Sequence, residues 1–232
     1  MRFVVAAAWA HKWLALIVGA QVLIWIASGL FFALYPIERV RSEHRLAEHA
    51  QAALNIAVLP SPADIRALVP ATPTNLSYER DARGRAVAVA SFAQGRPVLV
   101  DLDALRVLSP LTAEAASESA RAAIAHAPPV REARLITHGN PEYRGVLPAW
   151  RVALDDPEGL VVFVAADTGR VTARRSDLWR VYDALWALHI MDWRDHENFN
   201  TGLMIAASLV SLIVALAGFI LFPFRLRLPR WR

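Results

Sequence analysis

The sequence predicts an α+β protein in which one domain of helices and antiparallel strands is held between two transmembrane α-helices. Three observations predict it. Residues 13–35 and 202–222 form uncharged, mostly apolar stretches of 23 and 21 residues. A helix rises about 1.5 Å per residue, so about 20 apolar residues cross a hydrocarbon core. All 21 acidic residues lie between these stretches, with 19 arginines, which gives residues 36–200 a net charge of −2. That middle segment also alternates short apolar runs with Pro, Gly and Asp turn signals, the pattern of strands rather than of one long helix.

The first stretch contains only Gln21 and Ser28 as clearly polar residues. It exceeds the roughly 7–15 residues of a signal-peptide core and lacks a small-x-small cleavage pattern, so it reads as an uncleaved anchor. The remaining cations flank the two stretches: Arg2 and Lys12 before the first, Arg225, Arg227, Arg230 and Arg232 after the second. Short cationic flanks mark the cytoplasmic side, so both termini are expected in the cytoplasm and the domain across the membrane. The formal net charge of +4 thus resides in membrane flanks and implies no nucleic-acid partner. A strong arginine and alanine bias fits a high-GC bacterial genome. The expected site is the bacterial inner membrane, with the domain in the periplasm. With no cysteine, disulfides, thiol redox chemistry, cysteine-ligated clusters and covalent c-type haem are excluded.

Four segments follow: 1–36, tail and first span; 37–177, the domain; 178–200, an amphipathic aromatic interfacial helix; 201–232, second span and basic tail. Residues 38–53 are charged and alanine-rich, and are expected to continue as a short helix. Pro60-Ser61-Pro62 breaks it, and Ser61 is placed to cap a helix over 63–69. Strands are expected over 75–80, 86–92 and 97–102, with turns at 81–84 and Gln94-Gly95. Thr112 caps a helix over 112–127, with Glu114 and Glu118 near its positive end. Strands over 130–138, 150–155 and 160–165 follow, then a turn at 167–170. Asp103…Arg106-Val107 recurs as Asp167…Arg170-Val171, an offset of 64 residues. The domain is therefore expected to be a tandem of helix-plus-three-strand units, about 54–110 and 111–175. Each half is too small for its own core, so the pair should pack as one body. Trp150 is predicted to anchor that core.

The second half, through Leu147-Pro148-Ala149-Trp150-Arg151-Val152, the apolar run 160–165 and Asp167-Thr168-Gly169-Arg170-Val171, resembles a PepSY domain. The flanks resemble the PepSY-associated transmembrane family. The matching residues are His11-Lys12-Trp13-Leu14, Ser28-Gly29-Leu30 and Tyr35-Pro36-Ile37-Glu38-Arg39, then Leu188-His189-Ile190-Met191-Asp192-Trp193 and Phe199-Asn200. The resemblance implies a bacterial inner-membrane protein with a periplasmic PepSY domain, which with the echo makes a tandem PepSY-like domain the expectation. Larger members, with more spans, look like ferric-siderophore reductases that carry haem between histidines on different helices. PepSY domains also occur in peptidase propeptides, which implies an inhibitory or binding role.

His11 reads as an interfacial histidine among Trp9, Lys12 and Trp13, or as a haem b ligand. His189 is expected a full span away, about 30 Å, so a haem at either needs a homo-oligomer or partner subunit. Trp179, Tyr182, Trp186, His189, Trp193 and His196 recur every three or four residues, which places all six on one face of a continuous helix. The face reads as an aromatic membrane-interface anchor, or as a platform for haem or quinone. On a continuous helix His189 and His196 stand about 10.5 Å apart, too far to chelate one metal. Ala207, Ser211, Ala215 and Gly218 form a small-residue stripe for helix packing in lipid, with Ala15 and Gly19 on the first span. No nucleophile elbow, P-loop or zinc-protease motif is present. The expected function is a non-enzymatic accessory or binding subunit of a larger inner-membrane assembly, without a cofactor and with bilayer and membrane-protein partners or a homo-oligomer. The alternative is an electron-transfer protein that binds haem b.

Overall fold

The computed structural model describes residues 2–48, 53–55 and 58–225, without the side chains of 2–8, 10, 11 and 220–225. It divides into a helical unit of residues 1–36 and 181–232 and a sheet unit of residues 37–180.

The helical unit contains α1 (Arg2–Leu34), most of α5 (Asp177–Ile190) and α6 (Gly202–Arg225). Lys12–Leu34 and Gly202–Phe219 are long and apolar enough to cross a membrane. Their outer faces carry exposed Leu23, Ile26, Leu30, Leu209, Ile213 and Leu216, as a lipid-facing surface requires. α1 packs on α6. The covered positions are Val18, Gln21, Val22, Trp25 and Ser28 on α1 and Met204, Ala207, Ser211, Val214 and Ala217 on α6. Their period is near 3.5 residues, that of a helix–helix seam. The expected small-residue stripe is divided between this seam and the outer face of α6. Ala207 and Ser211 lie on the seam, whereas Ala215 and Gly218 face outward. Steps of four residues drift around the helix, off a seam of period 3.5. Gly19 is exposed for the same reason, and Ala15 is half-buried.

The sheet unit opens with α2 (Ile37–Val40) and a 3-10 turn at Glu43–Arg45. The longer helix expected over 38–53 does not form across its described part. Ser42, buried, takes a left-handed φ of 56°. The chain then runs extended beside the end of α4 (Ala113–Ala122): Leu46 bridges Ile124, and Ala47 N donates to Ala123 O. Residues 49–52 lie outside the described ones. Arg45 fixes the crossing through Asp156 and Glu158. α4 ends at Ala122, short of the predicted 127, and the residues after it pair with the entry segment at Leu46–Ile124.

Two four-stranded antiparallel sheets follow. The first is β1 (Asn75–Arg80), β2 (Ala86–Ser91), β3 (Val98–Asp101) and β4 (Arg106–Val107), in that order. The second is β5 (Val130–Ile136), β6 (Ala149–Leu154), β7 (Val161–Ala165) and β8 (Val171–Arg175). Three strands per half were expected. The missed fourth strand starts at the echoed motif: Arg106-Val107 is β4, and Val171 opens β8. Both follow a residue in the left-handed region, Leu105 (φ 48°) and Gly169 (φ 69°), so their approach reads as a turn. Leucine holds this conformation at a cost that glycine avoids.

The helices cap the sheets as their apolar faces demand. α3 (Pro62–Leu68) begins in a capping box in which Ser61 Oγ accepts from Asp64 N and the Asp64 carboxylate accepts from Ser61 N. Its Ile65, with Val69, packs on Ala88, Ala90, Val100 and Leu102. The other face of that sheet, Val87, Val89 and Leu99, meets Leu111. α4, capped by Thr112, covers Val152, Leu154, Val162 and Val164 with Ala116 and Ala120. On the far face of the second sheet, Tyr143 stacks on Phe163 at 4.5 Å beside Ala149 and Val161. β7 is thus buried on both faces, which explains its uninterrupted apolar run.

Trp150 touches the cores of both halves, and its Nε1 donates to Leu111 O at 2.9 Å. The β7–β8 turn is a second joint. Leu111 N donates to Ala166 O, Arg96 clamps the buried Asp167 through two hydrogen bonds, and Arg170 pairs with Glu79.

Candidate functional site in the helical unit

α5 ends at Ile190, and Met191 turns the chain with a φ of 53°. The continuous interfacial helix expected over 178–200 is therefore two things, a helix and an irregular loop. Trp179, Tyr182, Trp186 and His189 remain helical, whereas Trp193 and His196 do not share their face. Trp179 belongs to the sheet unit, where Arg175 stacks on its ring at 4.1 Å. Trp193 is 63% exposed.

The break has a cause that sequence periodicity hides. The buried Asp192 carboxylate accepts backbone N–H bonds from Arg194 and Asp195 through Oδ1, and from Glu197 and Asn198 through Oδ2. Its own N–H caps α5 by donating to Ala187 O. A side chain that offers the backbone such bonds competes with helix continuation. These donors, led by those of Asn198 and Glu197, outweigh desolvation and pull the Asp192 pKa from 3.8 to about 2. A depressed carboxyl pKa contributes stability that is complete above about 3.8 and is lost as pH falls through about 2. Hydrogen-exchange protection of the amides of Arg194, Asp195, Glu197 and Asn198 is accordingly expected to weaken as pH falls below about 4 and to be lost below about 2. Asp192→Ala should remove it at neutral pH. Protection that survives at pH 1 would contradict this account.

The returning loop brings His196 back beside α5. Its Nδ1 lies 2.6 Å from Asp183 Oδ2, and its carbonyl accepts from Trp186 Nε1 at 3.1 Å. Trp186 is the centre of the cluster. It stacks on Tyr182 and His189 with centroids at 6.3 and 6.4 Å, and meets Phe32 and Phe199 edge-on. Phe32 also contacts Tyr182 at 4.7 Å and His189 at 5.5 Å.

His189 is tied to α1 at two atoms. Its carbonyl, free at the helix end, accepts from Trp25 Nε1 at 2.7 Å. Its Nδ1 lies 2.7 Å from Ser28 Oγ, and that hydroxyl also reaches Ile24 O at 2.7 Å. A carbonyl can only accept, and a serine has one proton. With that proton on Ile24 O, Ser28 accepts from His189, so the imidazole carries its proton on Nδ1 and a lone pair on Nε2. Burial pushes the His189 pKa below 6.5, which keeps the ring neutral at pH 7.

His11 lies in α1, but its side chain is outside the described ones. Seventeen residues separate it from Ser28, about 26 Å along the helix axis. His11 and the His189 held at Ser28 are thus too far apart to share one iron within a chain. Among the described residues no group of three metal-binding side chains occurs. The sequence reading missed Phe32, Trp25, Asp183 and the organising role of Asp192. Ser28, Asp192 and Phe199 did stand in the short motifs that carried the resemblance, without a role.

A family model, that of the PepSY-associated TM region, matches residues 8–232. The chain belongs to this family. Family membership and the two long apolar helices together make it a membrane protein, and the family points to an associated PepSY domain. In this PepSY-associated protein the motif histidine His189 and motif serine Ser28 are direct partners. Among curated proteins and solved structures, none matches the chain.

Proposed function

We propose that this PepSY-associated protein is a non-enzymatic accessory subunit of a larger assembly in a bacterial inner membrane. Both termini would be cytoplasmic, with the sheet unit presented in the periplasm as a binding module. The observation that carries this reading is the anchoring of His189 and His196 within the helical unit through their Nδ1 atoms, His189 on Ser28 and His196 on Asp183. The outward small residues Ala215 and Gly218 support it, since close helix approach in lipid relies on such positions.

One observation favours haem b binding as a second reading. His189 Nδ1 is held by Ser28 Oγ, and with the proton on Nδ1 the ring would offer Nε2 to an iron, its orientation fixed by that hydrogen bond. The described residues fit the group only in part: His189 would supply one ligand, and a second would come from another copy or subunit. Bound there, haem would supply one-electron chemistry.

The visible spectrum decides between the two, on the purified chain and on the complex isolated from its own membrane. The accessory reading expects both to be colourless. A Soret band that survives purification and disappears in His189→Ala would overturn it in favour of electron transfer.

A further inference from the structure

We propose that a cleft beside the β7–β8 turn of the sheet unit binds a monocarboxylate with an apolar body, held by Arg174. The proposal deepens the binding-module reading, on which it rests, by naming a ligand class.

The cleft has a volume of about 390 Å³, within the range of small-molecule sites, about 300–1,000 Å³. Leu46, Ala47, Ala123 and Val171 give it apolar walls. Arg174 enters it from β8, half-buried. Its Nε donates to Arg41 O at 3.3 Å, and Glu43 acts on it only at a distance. Among the described residues no carboxylate forms an ion pair with it. Burial pulls the pKa of this guanidinium down by more than the charge of Glu43 raises it.

The other charges of the cleft are already engaged. Arg170 is taken by Glu79, and Asp81 by Arg83 and Arg85. Arg80 donates to Gly84 O and Ala53 O. What remains is one cation with several unused N–H donors in a planar fork, the geometry that accepts a carboxylate through two parallel bonds. The rim acids Glu79 and Asp81 repel a dianion such as phosphate more than a monoanion. The apolar walls suit a hydrocarbon body next to the charge. A peptide C-terminus and a free branched-chain acid share this chemistry.

The test is calorimetric titration of the full chain in detergent with three probes: the tripeptide Ala-Val-Leu, its C-terminal amide, and isovalerate. Binding of a free carboxylate, with the amide at least ten-fold weaker, is expected. A tripeptide that binds more tightly than isovalerate identifies a peptide terminus as the source; equal or weaker binding identifies the free acid. Arg174→Gln should weaken the bound probe at least ten-fold. If that variant melts earlier than the wild type, Leu46→Trp decides, because it fills the cleft from an exposed position and should block binding in a folded chain. The proposal is overturned if no carboxylate probe outbinds the amide, or if folded Arg174→Gln or Leu46→Trp binds like the wild type. Such a result would leave the spectra of the native complex, and the accessory reading they test, unaffected.

Discussion

Replacing Trp150 with alanine is expected to destabilise the sheet unit by about 3–5 kcal/mol, as truncation of a packed aromatic does. The residue is only half-buried, but it is shared. It packs on the second-sheet core with Val152 and Leu154, and on the first-sheet core with Leu99 and Leu111. Its indole N–H also satisfies Leu111 O, and the loss of that donor leaves a carbonyl unpaired. Chemical denaturation of the full chain, followed by hydrogen exchange at β2 and β6, measures the effect. Both sheets should lose protection together, since each half alone has too little core. A loss below about 1 kcal/mol, against the several expected of a packed indole, or loss of protection in β6 alone, would show that Trp150 does not join the halves.

Phe163→Ala should cost as much, about 3–5 kcal/mol, and for a different reason. Phe163 is wholly buried at the centre of β7, and its ring stacks on Tyr143 within 9° of parallel. The Tyr143 hydroxyl lies between Val146 O at 2.9 Å and Thr172 Oγ1 at 2.8 Å. Tyr143→Phe keeps the stack and removes that hydroxyl, at an expected cost of about 1–3 kcal/mol for buried groups left unpaired. A double-mutant cycle between Phe163→Ala and Tyr143→Ala should show a coupling of about 0.5–1.5 kcal/mol. Strict additivity would mean that the two rings do not support each other.

Much of this architecture is legible in the residues. The two spans are long uninterrupted apolar runs, and the strands around Tyr78, Val89 and Val152 sit between turn residues with clear chemistry. Ser61 and Thr112 cap the helices that their types predict. The 64-residue echo was legible too, but its strands were not: β4 has two residues, and Leu105 before it adopts a glycine-like backbone without being a glycine. The candidate site was harder. Periodicity correctly groups Tyr182, Trp186 and His189, then carries the helix on through Trp193 and His196, because spacing counts side chains and not backbone competition. Nothing in a spacing rule tells that Asp192 will collect its neighbours' amides. The pairing of His189 with Ser28 joins residues 161 positions apart, a distance over which local pattern has no say. The cleft around Arg174 is equally non-local, since its walls come from the entry segment, the end of α4 and β8.

Asp192 also bears on how this protein could change. The path of the loop after α5 is set by one carboxylate acting on main-chain groups, while Trp193, Arg194 and Asp195 are exposed. Shape and display are thereby separated. The outward residues can be rewritten without altering the fold, so relatives could exchange one recognition surface for another on a constant frame. Asp192 itself has no such freedom.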